Sequence, residues 1–270
     1  MKIKLNSKSP IGVFDSGLGG LTVIKALQKI LPNESFIYLG DTANVPYGNK
    51  SNTTVIKYSK KILDFFISKN TKAVVIACNT ASSVAYDELK EKYDIPLFDV
   101  VSPSVDFANH ISKTRKICII GTNSTINSKA YLKTFKKIKS NCSITEIACP
   151  LLVPVIEEGW SNTHIANLIC KAYLHSLNKT DIDTLILGCT HYSIMSHSIK
   201  NVINKNIKMV FSGETVGIKL MEYLKKNSLI NKKNKGHVNF FVTDYPQKFN
   251  ELAEQFLDQK LNSIKCIKLP

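Results

Sequence analysis

The sequence predicts an α/β protein built from two pseudo-symmetric, doubly wound domains with mainly parallel sheets. Two observations lead to this prediction. Short apolar segments alternate with amphipathic segments of helical length along the whole chain, and two stretches of the first half recur in the same order in the second half. Strands separated by helices of ten or more residues pair in parallel through right-handed crossovers, and helices then cover both faces of the sheet.

Each predicted strand is an apolar run that stops at a glycine, a proline or a polar residue. In chain order, the strands are expected over Ile11–Phe14, Ser35–Leu39, Ala73–Ala77, Pro96–Val100, Lys116–Ile120, Ser143–Ala148, Thr184–Leu187, Met209–Phe211 and Val238–Thr243. Each predicted helix repeats apolar residues at intervals of three and four. The helices are expected over Leu21–Leu31, Thr53–Lys69, Ser82–Tyr93, Ser128–Ile138, His164–Leu177, Ser196–Ile203, Thr215–Lys226 and Pro246–Leu257.

The internal repeat places a polar strand end and a cysteine in each half. IGVFDSG at 11–17 resembles ICIIGTN at 117–123, and AVVIACNT at 73–80 resembles TLILGCTH at 184–191. Ligands of open parallel sheets collect beyond the carboxyl ends of the strands. If the two halves face each other, both cysteines therefore border one interdomain cleft, where we expect the active site.

The best boundaries between the domains lie near Ser102-Pro103 and near Phe211. We expect a first domain of residues 1–101 plus 212–270, because the C-terminal segment is predicted to return to it. Residues 102–211 form the second domain.

Composition excludes several classes of protein. The chain is 44% apolar and 21% charged, which is typical of a globular fold, and its start, MKIKLNSKSP, lacks the apolar core of a secretory signal. No apolar run is long enough for a membrane-spanning helix, so we expect a cytoplasmic protein without a membrane partner. The net charge of +15 is typical of proteins that bind nucleic acid, but Arg115 is the only arginine among the 36 basic residues. Because arginine grips phosphates and base edges bidentately, we expect no nucleic-acid partner.

Seven cysteines are present and none forms a CxxC pair, which argues against disulfides and against a cysteine zinc site; no metal is expected. Cys118, Cys170 and Cys266 lie in apolar or amphipathic stretches and are interpreted as packing residues. Cys78 and Cys189 each follow a buried strand and precede a helical segment. A helix N-terminus lowers the pKa of a nearby thiol, so we expect reactive thiols at both positions. Two buried cysteines that merely end strands are the alternative.

Two opposed thiols suit the inversion of a carbon centre. One thiolate takes a proton from the carbon while the other thiol gives a proton to the opposite face, and both must lie close to the carbon in a water-poor site. A hydrolase or transferase with a single nucleophilic cysteine needs one Cys–His couple and no second cysteine, and this remains a competing class.

Polar residues around the two cysteines are candidates for assisting them. Asp15 and His191 are candidates to assist Cys78 and Cys189, although Asp15 also suits a helix N-cap and His191 a loop position. Either Glu157 or Glu158 is a further candidate, and a solvated helix start explains them equally well.

A second group of polar residues suits the binding of carboxylate or ammonium groups. These are the short hydrogen-bonding residues at strand ends, Ser16, Asn79, Thr80 and Thr190. Tyr47-Gly48 lies in a loop that can cover a ligand or form a plain turn.

Five segments resemble the glutamate racemases of the aspartate/glutamate racemase family. They are FDSGLGGLTV, GDTANVPYG, ACNTAS, PLLVPVIEEG and LGCTHY, and they extend from residue 11 to about residue 220 with matching order and spacing. The family consists of cofactor-independent enzymes with two α/β domains that make D-glutamate for peptidoglycan, and hence for the cell wall and cell shape. The resemblance implies no cofactor and no metal, with L- and D-glutamate as ligands. The oligomeric state does not follow from the sequence, and a homodimer is one candidate assembly.

The resemblance also implies residue roles. Cys78 takes the proton from D-glutamate and Cys189 takes it from L-glutamate. Asp15-Ser16, Tyr47-Gly48, Asn79-Thr80 and Thr190-His191 contact the substrate. One departure is Phe211, where the family usually has a polar residue before Ser-Gly-Glu, and we expect this to affect the interdomain region and not the chemistry. Aspartate racemase is the alternative within the family, but its similar motif has an acidic residue in place of His191.

Overall fold

The structure, a computed structural model, describes residues 6–232, 235–257, 260–261 and 263–269. Residues 1–5 lie outside the described residues, and they form the first half of the MKIKLNSKSP segment that was considered as a secretory signal. The strands of the described part are β1 (Ile11–Asp15), β2 (Phe36–Gly40), β3 (Ala73–Ile76), β4 (Leu97–Asp99), β5 (Lys116–Gly121), β6 (Ser143–Ala148), β7 (Thr184–Gly188), β8 (Lys208–Phe211), β9 (Val238–Val242) and β10 (Ile264–Cys266).

Its α-helices are α1 (Leu21–Ile30), α2 (Asn52–Ser68), α3 (Asn79–Lys92), α4 (Val101–Ile111), α5 (Asn123–Ser128), α6 (Ala130–Lys137), α7 (Leu152–Glu157), α8 (His164–Leu174), α9 (Ser196–Val202), α10 (Ser212–Lys226) and α11 (Pro246–Leu257). None of the helices within the described ranges combines the length and the apolar character needed to cross a bilayer.

The strands form two parallel sheets, which confirms the predicted fold class. The larger sheet has the order β10-β9-β2-β1-β3-β4 and the smaller one the order β6-β5-β7-β8. All strand pairs found in the described part of the chain are parallel. We call the two parts of the molecule the six-stranded half and the four-stranded half.

The central strands are apolar on both sides because helices cover both faces of each sheet. Every residue of β1, β2, β3 and β7 is buried. On one face of the larger sheet, side chains of α1, α10 and α11 form an apolar cluster, and on the other face those of α2 and α3 form a second cluster. This double cover explains why the strands show nearly continuous apolar runs instead of an alternating pattern.

The chain returns from the four-stranded half to the six-stranded half through α10. Gly213 and Gly217 let this helix approach α1 closely, since a Cβ at Gly213 would lie 3.0 Å from the Cβ of Ala26 and one at Gly217 would lie 2.6 Å from the Cδ1 of Ile30. β9 then pairs with β2, and the short β10, which the sequence did not indicate, extends the same edge. The domain limits at 101/102 and 211/212 stay predictions.

The region around Pro103 and the helix expected over Ser128–Ile138 differ from the expected elements. The sequence placed a boundary at Pro103, but Pro103 lies in the first turn of α4, where proline is tolerated because that turn has no intrahelical partner for the missing N–H. The helix expected over Ser128–Ile138 is instead two helices, α5 and α6, joined at Lys129, which has a left-handed backbone with φ 57°.

Candidate active site

A cavity of about 100 Å³ lies between the two halves, at the carboxyl ends of β1, β3, β5 and β7. Side chains from both halves line it. They are Ser16, Val45, Pro46, Tyr47, Gly48, Asn49, Cys78, Asn79 and Thr80 from the six-stranded half, and Thr122, Asn123, Pro150, Val153, Pro154, Glu157, Cys189, Thr190 and His191 from the four-stranded half. The chain thus places a cleft lined by both halves where parallel sheets usually bind ligands.

Nine of the ten predicted site residues line this cavity, and Asp15 lies behind it. Asp15 is fully buried and accepts hydrogen bonds from the backbone N–H of Gly17 (3.1 Å) and from the hydroxyl of Thr190 (3.3 Å). Its carboxylate therefore contacts the Cys189 motif of the opposite half and orients the hydroxyl of Thr190, which lines the cavity.

Cys78 follows β3 and caps the N-terminus of α3. Its sulfur accepts the N–H of Ala81 at 3.5 Å and lies 3.9 Å from the hydroxyl of Ser16. Burial, and next the negative charge of Asp15, raise the pKa of this thiol to about 12, although the N–H of Ala81 acts in the opposite direction. The expectation that the helix N-terminus lowers the pKa of Cys78 is therefore wrong for this structure, because desolvation outweighs the helix amides.

Cys189 follows β7 and is succeeded by a 3-10 turn over Thr190–Ser193 instead of an α-helix N-terminus, and the predicted α-helix begins at Ser196 as α9. Its sulfur lies 3.9 Å from the Nδ1 of His191, and the Nε2 of that ring lies 3.2 Å from the Oε1 of Glu157. Burial lowers the pKa of His191, but the hydrogen bonds to Cys189 and Glu157 outweigh it and raise this pKa to about 10. The imidazole of His191 is therefore protonated at neutral pH. The contact also identifies Glu157, not Glu158, as the residue of the pair that faces the cavity.

The loop with Tyr47-Gly48 closes the cavity on the side of the six-stranded half. The hydroxyl of Tyr47 donates to Asp41 at 2.6 Å, and Asp41 also accepts hydrogen bonds from Asn44 and Thr243. A Cβ at Gly48 would lie 2.9 Å from the Cβ of Thr122, so the glycine allows this loop to approach the opposite half. Asp41 positions the loop, a role that sequence reasoning did not assign to it.

A cluster of three hydroxyls joins the two halves beside the cavity. Thr80 lies 3.0 Å from Thr122 and 3.3 Å from Thr125, oxygen to oxygen, and Thr122 lies 3.1 Å from Thr125. Thr122 is a cavity residue that was not selected from the sequence. It occupies the position in the second repeat that Ser16 occupies in the first, and this correspondence was the signal for it.

Pro150, Val153 and Pro154 border the cavity at the start of α7. They lie in the PLLVPVIEEG segment that carried part of the family resemblance, but they were not selected from it as site residues. Among the residues that the structure describes, no group of three or more His, Cys, Asp or Glu side chains is arranged to hold a metal ion.

Comparisons with known proteins identify the family of the chain. Residues 11–220 match the family model described as Asp/Glu/Hydantoin racemase. A glutamate racemase of Sulfurihydrogenibium sp. is 46% identical over 262 residues, which cover 96% of this chain and 98% of the relative. One of Geobacter metallireducens is 40% identical over 260 residues, 96% of both chains. The crystal structure of the Francisella tularensis glutamate racemase in complex with D-glutamate superposes with a TM-score of 0.90 at 38% identity, covering 97% of this chain and 98% of that one.

The fold and the similarity together define the protein as an isomerase of the racemase class. More specifically, the chain belongs to the Asp/Glu/Hydantoin racemase family, whose model matches residues 11–220 and so includes strands of both sheets.

Proposed function

We propose that the protein interconverts L-glutamate and D-glutamate by moving protons between two thiols on opposite sides of the substrate. One observation carries this proposal: Cys78 and Cys189, each from a different half of the molecule, line the same cavity. The choice of glutamate is supported by relatives of 40% and 46% identity that are glutamate racemases.

The reaction from L-glutamate starts at Cys189. Its thiolate takes the Cα proton, so that the C–H bond breaks, an S–H bond forms and the electron pair stays on the substrate. The thiol of Cys78 then gives its proton to the opposite face of Cα and becomes the thiolate. The reaction from D-glutamate runs in reverse. The raised pKa of Cys78 favours the thiol form that the reaction from L-glutamate requires.

Hydrogen-bonding groups around the cavity suit an amino acid with two carboxylates. Ser16, Thr80 and Thr190 present hydroxyls, and the Nδ2 of Asn79 has no hydrogen-bond partner among the described residues. An unpaired buried donor is costly, so a carboxylate oxygen of the substrate is a favourable partner for it. Exclusion of water from the filled cavity strengthens these interactions.

The same proposal gives the enzyme a place in the cell. D-Glutamate is a component of peptidoglycan, and the enzyme supplies it in the cytoplasm for cell-wall synthesis and thus for cell shape. Glutamate is the ligand in this proposal. We propose the homodimer as the assembly, and sedimentation measurements would test it.

Incubation of the protein with L-glutamate in D2O, without added cofactor, tests the proposal. We expect optical activity to disappear while deuterium appears at Cα. Cys78→Ser and Cys189→Ser should each abolish racemisation, whereas Cys266→Ser, at an exposed position outside the cavity, should leave it unchanged.

Three outcomes would contradict the proposal. Full activity of either site variant would exclude the two-thiol scheme, and a requirement for pyridoxal phosphate would exclude a cofactor-independent reaction. Faster turnover of L-aspartate than of L-glutamate would make the protein an aspartate racemase.

A further inference from the structure

Tyr131 contacts the segments that carry both cysteines. It lies in α6 of the four-stranded half and is fully buried. Its hydroxyl donates a hydrogen bond of 2.8 Å to the Oδ1 of Asn79, the residue after Cys78. Its ring lies against Gly188, the residue before Cys189, because a Cβ built at Gly188 would lie 3.3 Å from the Cε2 of Tyr131. One side chain thus touches the neighbours of both thiols.

The hydrogen bond fixes the orientation of the Asn79 amide. Its Oδ1 accepts from Tyr131 and, at 3.4 Å, from the hydroxyl of Ser212, which also donates to the backbone carbonyl of Leu187. Two donors, one from α6 of the four-stranded half and one from the start of α10, therefore occupy the oxygen side of the amide. The Nδ2 side remains for the cavity, which Asn79 lines and where no described residue accepts from it.

The ring of Tyr131 packs against the backbone of Gly188, and this is its second contact with a cysteine segment. A side chain at this position would meet the ring of Tyr131 and, at 2.7 Å, the backbone oxygen of Ile120. The ring therefore lies directly on the backbone at the end of β7, one residue before Cys189. Because both the ring and the strand end are buried in a packed core, a shift of Tyr131 would displace its neighbours.

We propose that Tyr131 is a positioning residue that aligns the Cys78-Asn79 segment with the Gly188-Cys189 segment across the cleft. This inference rests on the two-thiol reaction proposed above. Proton transfer at a carbon requires both thiols within a narrow range of distances from Cα, and a misplacement of about 1 Å can cost about 100-fold in rate. Tyr131 supplies the link because its ring and its hydroxyl act on different halves of the molecule.

The variant Tyr131→Phe tests the link, since it retains the ring against Gly188 and removes only the hydroxyl. We expect kcat/KM for L-glutamate to fall about 10- to 100-fold, with a rise in KM from the freed Asn79 amide and a fall in kcat from the misaligned thiols. The matched control is Tyr93→Phe, which removes a hydroxyl that donates to the backbone oxygen of Lys60 away from the cleft. Its kinetics should equal those of the wild type.

A double-mutant cycle with Asn79→Ala separates positioning from a general structural role. If Tyr131 acts through Asn79, adding Tyr131→Phe to Asn79→Ala should produce little further loss of deuterium incorporation at Cα. If the double variant loses as much activity as the product of the two single losses, the inference is overturned. A wild-type kcat/KM in Tyr131→Phe would overturn it as well.

Two further measurements keep the result interpretable. Circular dichroism shows whether Tyr131→Phe folds. If it does not, Ser212→Ala removes the other donor to Asn79 and should give a smaller loss of kcat/KM, again absent in the Asn79→Ala background. An unchanged kcat/KM in Ser212→Ala would then overturn the inference. Normal Tyr131→Phe kinetics together with inactive Cys78→Ser and Cys189→Ser would refute the role of Tyr131 alone, whereas active cysteine variants would refute the reaction itself.

Discussion

The Nε2 of His191 lies 3.2 Å from the Oε1 of Glu157, while its Nδ1 faces the sulfur of Cys189 at 3.9 Å. The imidazole thus links a carboxylate at the end of α7 to one of the two thiols. Because both contacts favour the charged ring, the pKa of His191 rises from its ordinary value near 6.5 to about 10. This link has a measurable consequence for stability.

The protonated His191 should stabilise the folded protein at low pH and not at high pH. Its folded-state pKa lies above its unfolded-state value, so its contribution is complete below pH 6.5 and is lost as the pH rises toward about 10. We expect the difference in free energy of unfolding between the wild type and His191→Asn to shrink across this window. Urea unfolding at a series of pH values measures it, and a difference that does not change with pH would contradict the assigned charge.

Gly19→Ala should damage activity more than stability. A Cβ at Gly19 would lie 2.3 Å from the Oγ1 of Thr190 and 2.4 Å from the Nδ1 of His191, so it would displace the turn after Cys189. We expect a loss of kcat/KM of about 100-fold or more. Gly121→Ala is the matched control, because its Cβ would lie no closer than 3.2 Å to its neighbours, the Cδ1 of Ile126 and the Cγ2 of Thr125, and would not meet Thr190 or His191. Equal kinetic losses in both variants would argue against the steric explanation.

Loss of the Thr122 hydroxyl should weaken the contact between the two halves beside the cavity. Thr122→Val removes hydrogen bonds to Thr80 and Thr125, whereas Thr122→Ser preserves them. We expect KM for glutamate to rise several-fold in the valine variant, equivalent to about 1 kcal/mol for a lost hydrogen bond, and to stay near the wild-type value in the serine variant. Steady-state kinetics in both directions would show this, and similar KM values for the two variants would refute it.

A buried ion pair far from the cavity should affect stability alone. Lys72 and Glu34 are both almost fully buried, and the Lys72 ammonium also donates to the backbone oxygens of Ser7 and Leu229. Lys72→Met leaves the Glu34 carboxylate uncompensated, so we expect a loss of about 3–5 kcal/mol in the free energy of unfolding. Adding Glu34→Gln should recover part of this loss, while kcat/KM per folded molecule stays constant. Urea unfolding of both variants is the measurement, and an additive double variant would contradict the pairing.

Much of this architecture could be read from one sequence because the strands are buried on both faces. The apolar runs of β1, β3, β5 and β7 and the polar residues that end them predicted the parallel sheets and most of the cavity. The repeat indicated that Cys78 and Cys189 belong to equivalent places in the two halves. These features are local in the chain, so periodicity and strand ends were enough to find them.

The parts that were not predicted depend on contacts between distant segments. Nothing near Asp41 or Tyr131 in the chain shows that their side chains hold Tyr47 and Asn79. The pKa of Cys78 was expected to fall because the helix N-terminus is visible in the sequence, whereas the burial that raises this pKa is a property of the assembled halves. α4 was missed because a proline in the first turn resembles a boundary.

The late return of the chain through β9 affects how the protein emerges from the ribosome. β2 pairs with β1 on one side, but its other neighbour, β9, is about 200 positions further along the chain. Until that segment is synthesised, β2 presents an open edge of the kind that invites pairing with other chains. Nascent molecules truncated after α10 should therefore aggregate more readily than the finished polypeptide, and the last strands serve to protect the first ones.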